Sequence, residues 1–458
     1  MSRILIKNIM LAVLMDDKRT KISDADILIE NDVIKSVGKN LDVKPLPGEN
    51  LRTIDASGCV ALPGFINTHH HLYQTFTRNV PAVQDAKLFD WLVHLYNIWA
   101  RLTPEVVSLS TKLGLGELLL TGCTTSTDQF YVFPEGQPSN LIDYEIEAAL
   151  EIGMRFQPCH GSMSRGKSRG GLPPDSVVQD EETILKESER LVAKYHNPSP
   201  RAMTRISLAP CSPFSVTSEL LKETARFARR KKVRLHTHLA ETLDEENFCL
   251  ELHKARPLEY MEKVEWVGSD VWFAHCVHMN DDEIKLMGGT RTGVAHCPTS
   301  NLRLGSGIAP VRKMLDAGVP VSIAVDGSAS NDTSDMLGEL RQCLLVHRIK
   351  SGVESMPAED VFFMATRGGA EVLGRDDVGS LEPGKAADVV LFDMRKIAYA
   401  GALHDPLAAL LFCGDSHIAR NVIVNGKIVV ENGRLTTVDE EDLFLKSDAL
   451  SKKLLSSF

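Results

Sequence analysis

The sequence predicts an α/β protein: a (β/α)8 (TIM) barrel carrying a small β-sandwich domain formed by both termini. Three observations predict it. Strand-like and helix-like runs alternate from about residue 60 to about residue 370, which calls for a parallel sheet with crossover helices. The first ~60 residues and those after ~375 have a different texture, short apolar strands separated by Gly and Asn turns. Polar residues gather where the barrel strands stop, the end of such a barrel that carries chemistry.

Taken in order, LIKNIMLAVL is a strand and ADILIENDVIKSVG a hairpin turning at Asn31-Asp32. Eight strands then follow, ending near His71, Asp128, His160, Pro210, His238, His275, His296 and Asp326. Amphipathic stretches such as PEVVSLSTKLGLGELLLTG and SELLKETARFARRKK lie between them. DVGSLEPGKAADVVLFD and RNVIVNGKIVVENGRL return to β. The expected division is 1–60 with 375–440 as the β-sandwich, 61–374 as the barrel and 441–458 as a C-terminal helix. A chain of 458 residues has room for both domains and buries enough apolar surface to fold without disulfides.

Composition is that of an ordinary soluble protein, 43% hydrophobic and 24% charged, with a mean hydropathy of −0.09. A net charge of −10 disfavours nucleic-acid backbones and anionic membranes and suits a small neutral substrate. The nine cysteines are odd in number, widely spaced and free of CxxC pairs, which points to a reduced, cytoplasmic protein. No 18-residue apolar run is present, and the opening segment reads as a strand and not as a signal peptide.

The chemistry concentrates in four places. In PGFINTHHHLYQ, residues two apart at a strand end share a face, so His69 and His71 can reach one ion while His70 turns away. VRLHTHLAET repeats the spacing with His236 and His238 and adds Glu241. VWFAHCVHM ends a strand at His275. In VPVSIAVDGSASND an apolar strand runs into Asp326, and a buried carboxylate is costly unless paired or bound to metal. Imidazole and carboxylate donors suit Zn²⁺ or Fe²⁺. With no cysteine pair to build a structural zinc site, a catalytic ion with an open position is the better reading.

PGFINTHHH, HTHLAE, the lone His275, HCPTSN, VDGSASND and the C-terminal LEPGKAADVVLFD together resemble the amidohydrolase superfamily, in its cytosine, guanine and triazine deaminase branch. The resemblance spans nearly the whole chain. It implies that His69, His71, His238 and Asp326 hold the ion and that Glu241 and His275 move protons. Binuclear members carry a lysine at the fourth strand. Here RISLAPCSPF has none, so one divalent ion per subunit is expected, zinc first and iron second. A homo-oligomer is expected on the same ground.

The physics agrees. Bound Zn²⁺ lowers the pKa of a water to ~7. Asp326 can take a proton from that water, His275 can orient it, and Glu241 can protonate the ring and help the amine leave. Expelling ammonia needs a proton whereas expelling chloride does not, so Glu241 with His275 favours deamination. Gln74 and Arg78 follow the first histidines, and Gln74 suits the amide-like edge of a purine. Trp91 is either a stacking platform or helix core. Cys211 reads as a pocket wall and Asn301 as a further substrate contact. The Gly- and Ser-rich stretch at 161–178 is either a lid or an ordinary surface loop. These loop segments are most similar to deaminases of oxidised purines, which implies 8-oxoguanine and water giving urate and ammonia. Guanine, isoxanthopterin, cytosine and s-triazines are the alternatives.

Overall fold

The structure is a computed structural model that describes residues 2–45, 51–414 and 417–456. Eight parallel strands follow one another in chain order around a barrel: Phe65–Asn67, Cys123–Phe130, Arg155–Ser162, Ser207–Pro210, Arg234–Leu239, Val271–His275, Gly293–His296 and Val321–Ile323. Nearly every residue in them is buried, as expected of strands covered on the outside by helices and packed against each other within. Their ends match the sequence expectation closely. The exceptions are the first strand, which stops at Asn67 and delivers His69 to His71 on the segment just beyond, and the eighth, which stops at Ile323 and leaves Asp326 on the turn that follows.

The first and eighth strands are the shortest, at three residues each, and side chains carry their seam. Thr68 and Ser322 share a hydrogen bond of 2.7 Å, Val325 N donates to Asn67 Oδ1 at 3.0 Å, and Asp326 N donates to His69 O at 3.2 Å. This closure sets Asp326 against His69. The crossover helices follow ordinary rules. Thr217 caps Ser218–Lys231 by accepting from Leu220 N, and Leu220, Leu221, Ala225 and Ala228 form the buried face of that helix.

Strands from the two ends of the chain form one nine-stranded sheet. Its long member, Arg3–Val13, pairs antiparallel with Lys21–Glu30 and parallel with both Leu51–Asp55 and Cys59–Pro63. Val389–Asp393 continues the sheet from Cys59–Pro63. The hairpin turn lies at Asn31 and Asp32, with Asn31 left-handed at φ 55°. This sheet has its own apolar core, including Ile6, Ile27, Ile29, Val389 and Ile423. A final helix, Glu440–Leu455, packs beside Pro104–Leu120; residues 457–458 of the expected helix lie outside the described residues. Among the described residues no helix is long and apolar enough to cross a membrane.

Candidate metal centre and active site

The strand ends converge on five side chains. The fifth strand supplies His238, the sixth His275, the turn after the eighth Asp326, and the segment after the first His69 and His71. Two of these residues have left-handed backbone, His275 at φ 71° and Asp326 at φ 66°, as does Ala240, two residues beyond His238, at φ 51°. Each such residue costs about 1–3 kcal/mol, and such strain collects at functional sites.

Backbone carbonyls dictate the tautomers. His71 Nδ1 donates to Gln129 O at 2.8 Å and His238 Nδ1 to Cys211 O at 2.6 Å. A carbonyl only accepts, so both Nδ1 atoms carry the proton and both Nε2 atoms keep a lone pair. His236 Nδ1 likewise donates to Trp272 O at 3.0 Å, which leaves its Nε2 to accept from His69 Nδ1 at 2.7 Å. His69 Nε2 is therefore also bare; it is buried and has no hydrogen-bond partner. These lone pairs crowd together. His71 Nε2 and His238 Nε2 are 3.1 Å apart, and Asp326 Oδ1 lies 3.2 Å from His69 Nε2 and 3.4 Å from His71 Nε2.

Three lone pairs and a carboxylate repel one another, and a cation among them converts that repulsion into attraction. Burial holds His69, His71 and His238 below the usual imidazole range, so they stay neutral, the form in which an imidazole can bind a metal. Three imidazoles and one carboxylate fit a divalent ion with a position left open. A divalent metal ion is the cofactor of such a site.

A proton-handling pair stands beside this donor set. His275 Nδ1 donates to Asn301 Oδ1 at 2.9 Å, and its Nε2 lies 3.6 Å from Glu241 Oε2 and 3.9 Å from Asp326 Oδ2. Burial pushes the His275 imidazole down, but Glu241 and then Asp326 outweigh it and leave its pKa above the usual range. Burial raises the Glu241 carboxyl, and His275 only partly offsets that. Glu241 Oε1 also accepts from Ser306 Oγ at 3.3 Å.

Over these groups lies a cavity. His71, His238, Glu241, His275 and Asp326 form its floor. Gln74, Trp91 and Cys211 line it, as the sequence suggested. Burial pushes the Cys211 thiol up to about 12, so it is a neutral wall. Trp91 faces the cavity and packs edge-on to Trp99, with centroids 5.5 Å apart.

Two expected substrate contacts are corrected. Arg78 pairs with Glu117 and reaches Ser328 and Ser334, so its charge is spent beside the cavity and not in it. Asn301 stands behind His275 and orients it. The 161–178 stretch does not line the cavity either. Ser164 N and Arg165 N are tied to Ser215 O at 3.1 and 3.0 Å, and helix Leu88–Trp99 provides the cover through Leu88, Trp91, Leu92 and Tyr96.

The sequence reading assigned no task to His236, Tyr131, Phe214 or Ser330. For His236 the signal was present: two residues before His238 on one strand, it shares the inward face one layer deeper. Replacing it by Phe keeps a ring on Trp272, against which it stacks at 4.5 Å, but removes the acceptor that sets the His69 tautomer. A fall in metal affinity of about 10–100-fold is expected, measured by chelator competition. Unchanged affinity would mean that His236 does not set that tautomer.

Comparison with known proteins agrees with this geometry. The amidohydrolase family model matches residues 60–429. The chain is 48% identical over 402 residues to 8-oxoguanine deaminase of Pseudomonas aeruginosa, covering 88% of this chain and 89% of that one. It is 36% identical over 457 residues to isoxanthopterin deaminase of an unknown prokaryotic organism, covering 96% and 94%. Among solved structures, atrazine chlorohydrolase of Arthrobacter aurescens, complexed with zinc, superposes with a TM-score of 0.93 at 37% identity, over 98% of this chain and all of that one.

Proposed function

Because this chain belongs to the amidohydrolase family, we propose that it is a hydrolytic deaminase of a purine-like heterocycle, converting 8-oxoguanine and water to urate and ammonia. The observation that carries the reading is the pairing of Glu241 with His275 above four convergent metal donors, inside a cavity with aromatic and apolar walls.

When bound by His69, His71, His238 and Asp326, a divalent ion, zinc in this reading, acidifies water to a pKa of ~7. The residues do the rest. Asp326 Oδ2 accepts a proton from the attacking water, and His275, held by Asn301, orients that water at the amino-bearing carbon. Glu241 gives its proton to the adjacent ring nitrogen, which makes the carbon a better electrophile. The proton held at Asp326 passes to the amino nitrogen, the C–N bond breaks and ammonia leaves as the new hydroxyl becomes the carbonyl, its proton returning to Glu241.

The walls suit such a substrate. Leu88, Leu92 and Leu304 offer apolar surface to a flat ring. Trp91 Nε1 and Tyr96 Oη are buried without hydrogen-bond partners, so both are free to donate to the carbonyl oxygens of an oxidised purine.

The test is an ammonia-release panel on metal-loaded protein with 8-oxoguanine, guanine, isoxanthopterin, cytosine and a hydroxylated s-triazine. The highest kcat/KM is expected with 8-oxoguanine, urate appearing in step with ammonia. No ammonia from any purine or pterin would reject the reading. The similarity to atrazine chlorohydrolase favours a second reading, a triazine hydrolase, and turnover of the triazine alone would select it. Elemental analysis decides zinc against iron. We also propose a cytoplasmic homo-oligomer: all nine cysteines are unpaired, as suits a reducing compartment, and light scattering reads the assembly.

A further inference from the structure

A second group of metal donors lies outside the catalytic set. His296 closes the seventh strand, and Cys343 and His347 sit one turn apart on helix Met336–Ser351. That i, i+4 spacing turns both side chains to one face of the helix. One donor atom from each of the three residues lies within 4.8 Å of the others, and the residues are 1%, 0% and 1% exposed.

A hydrogen bond between the two rings accounts for only part of this arrangement. Nε2 of His296 and Nε2 of His347 are 3.0 Å apart, which satisfies one nitrogen of each. His296 Nδ1 remains buried with no hydrogen-bond partner. An unsatisfied buried polar atom costs about 1–3 kcal/mol. Two imidazoles and a thiol are also a donor set that zinc takes, at about 2.0–2.1 Å from nitrogen and about 2.3 Å from sulfur. Ligands at those distances stand about 3.3–3.6 Å apart around a tetrahedral ion, so the observed spacing closes on an ion by side-chain shifts of up to about 1 Å.

We propose that His296, Cys343 and His347 form a second site for a zinc-class cation, structural in role and separate from the catalytic ion. Its placement gives it work. The seventh strand runs directly into helix Pro298–Arg303, which carries Asn301, the residue that holds His275. An ion at His296 would fasten that strand end to helix Met336–Ser351 and so brace the support of His275. Without an ion, burial raises the pKa of the Cys343 thiol and keeps it protonated; binding would release that proton as the sulfur becomes a thiolate.

Cobalt(II) separates the two sites, because the catalytic donors include no sulfur. The full-length chain, stripped and reloaded with Co²⁺, is expected to bind two ions and to show a thiolate-to-cobalt charge-transfer band in the near ultraviolet. Cys343→Ala should bind one ion, lose the band and keep ammonia release at a reduced rate, and His347→Gln should do the same. Since Ala and Gln are good helix formers, both variants are expected to fold. Three results would overturn the proposal: a native chain that binds one ion, a second ion without the band, or a band that survives in Cys343→Ala. None of them bears on the deaminase reading, whose test is ammonia release.

Discussion

Glu241→Gln is expected to release ammonia about 10²–10⁴-fold more slowly than the native chain, with metal content and KM little changed. Glutamine keeps the shape and can still accept from Ser306, but it has no proton to give to the ring. The side chain lies 3.6 Å from His275 and none of the convergent Nε2 atoms depends on it, so the ion stays. The pH profile adds a second readout. In the proposed reaction Glu241 acts in its protonated form, and burial raises its pKa. Native kcat/KM is therefore full below that raised pKa and falls as pH rises through it. In Glu241→Gln this alkaline limb should disappear. A variant within tenfold of native activity, or one that keeps the limb, would remove Glu241 from the proton path.

Asp326→Asn should be more severe than the about 10²–10⁴-fold loss of a single acid or base, because one carboxylate serves two purposes. Oδ1 stands 3.2 and 3.4 Å from two ligand histidines, and Oδ2 faces His275 at 3.9 Å. The amide is nearly isosteric and keeps an oxygen for Gly327 N, which donates to Oδ1 at 2.6 Å, so the fold should survive. What is lost is the negative charge that balances the cation and the base that receives the proton from water. Ammonia release should fall to background and the metal should dissociate more readily, read by elemental analysis after dialysis. Substantial activity with a full complement of metal would break the assignment of Asp326 as both ligand and base.

Much of this site could be read before folding was considered. His69 and His71, two apart beyond a strand, and His238, two after His236, follow from the period of a strand alone. Asp326 stood out because an apolar run ending in a bare carboxylate needs a partner. Arg78 misled because it follows the first histidines in sequence, yet its guanidinium is claimed by Glu117, thirty-nine residues away in the chain. Asn301 misled in the opposite sense: its place after the seventh strand pointed to the cavity, but the contact it makes is with His275.

The sequence by itself determined the alternation of strand and helix, the faces that the histidines share, and the donor types available to an ion. These are local properties, set by backbone period and by the cost of burying charge. Only the tertiary structure decided which nitrogens are bare, since each tautomer depends on a partner brought from another strand, as with His71 on Gln129 O and His69 on His236. It also decided that helix Leu88–Trp99 covers the cavity and that Cys343 meets two histidines, because side chains distant in the chain become neighbours only when the barrel closes.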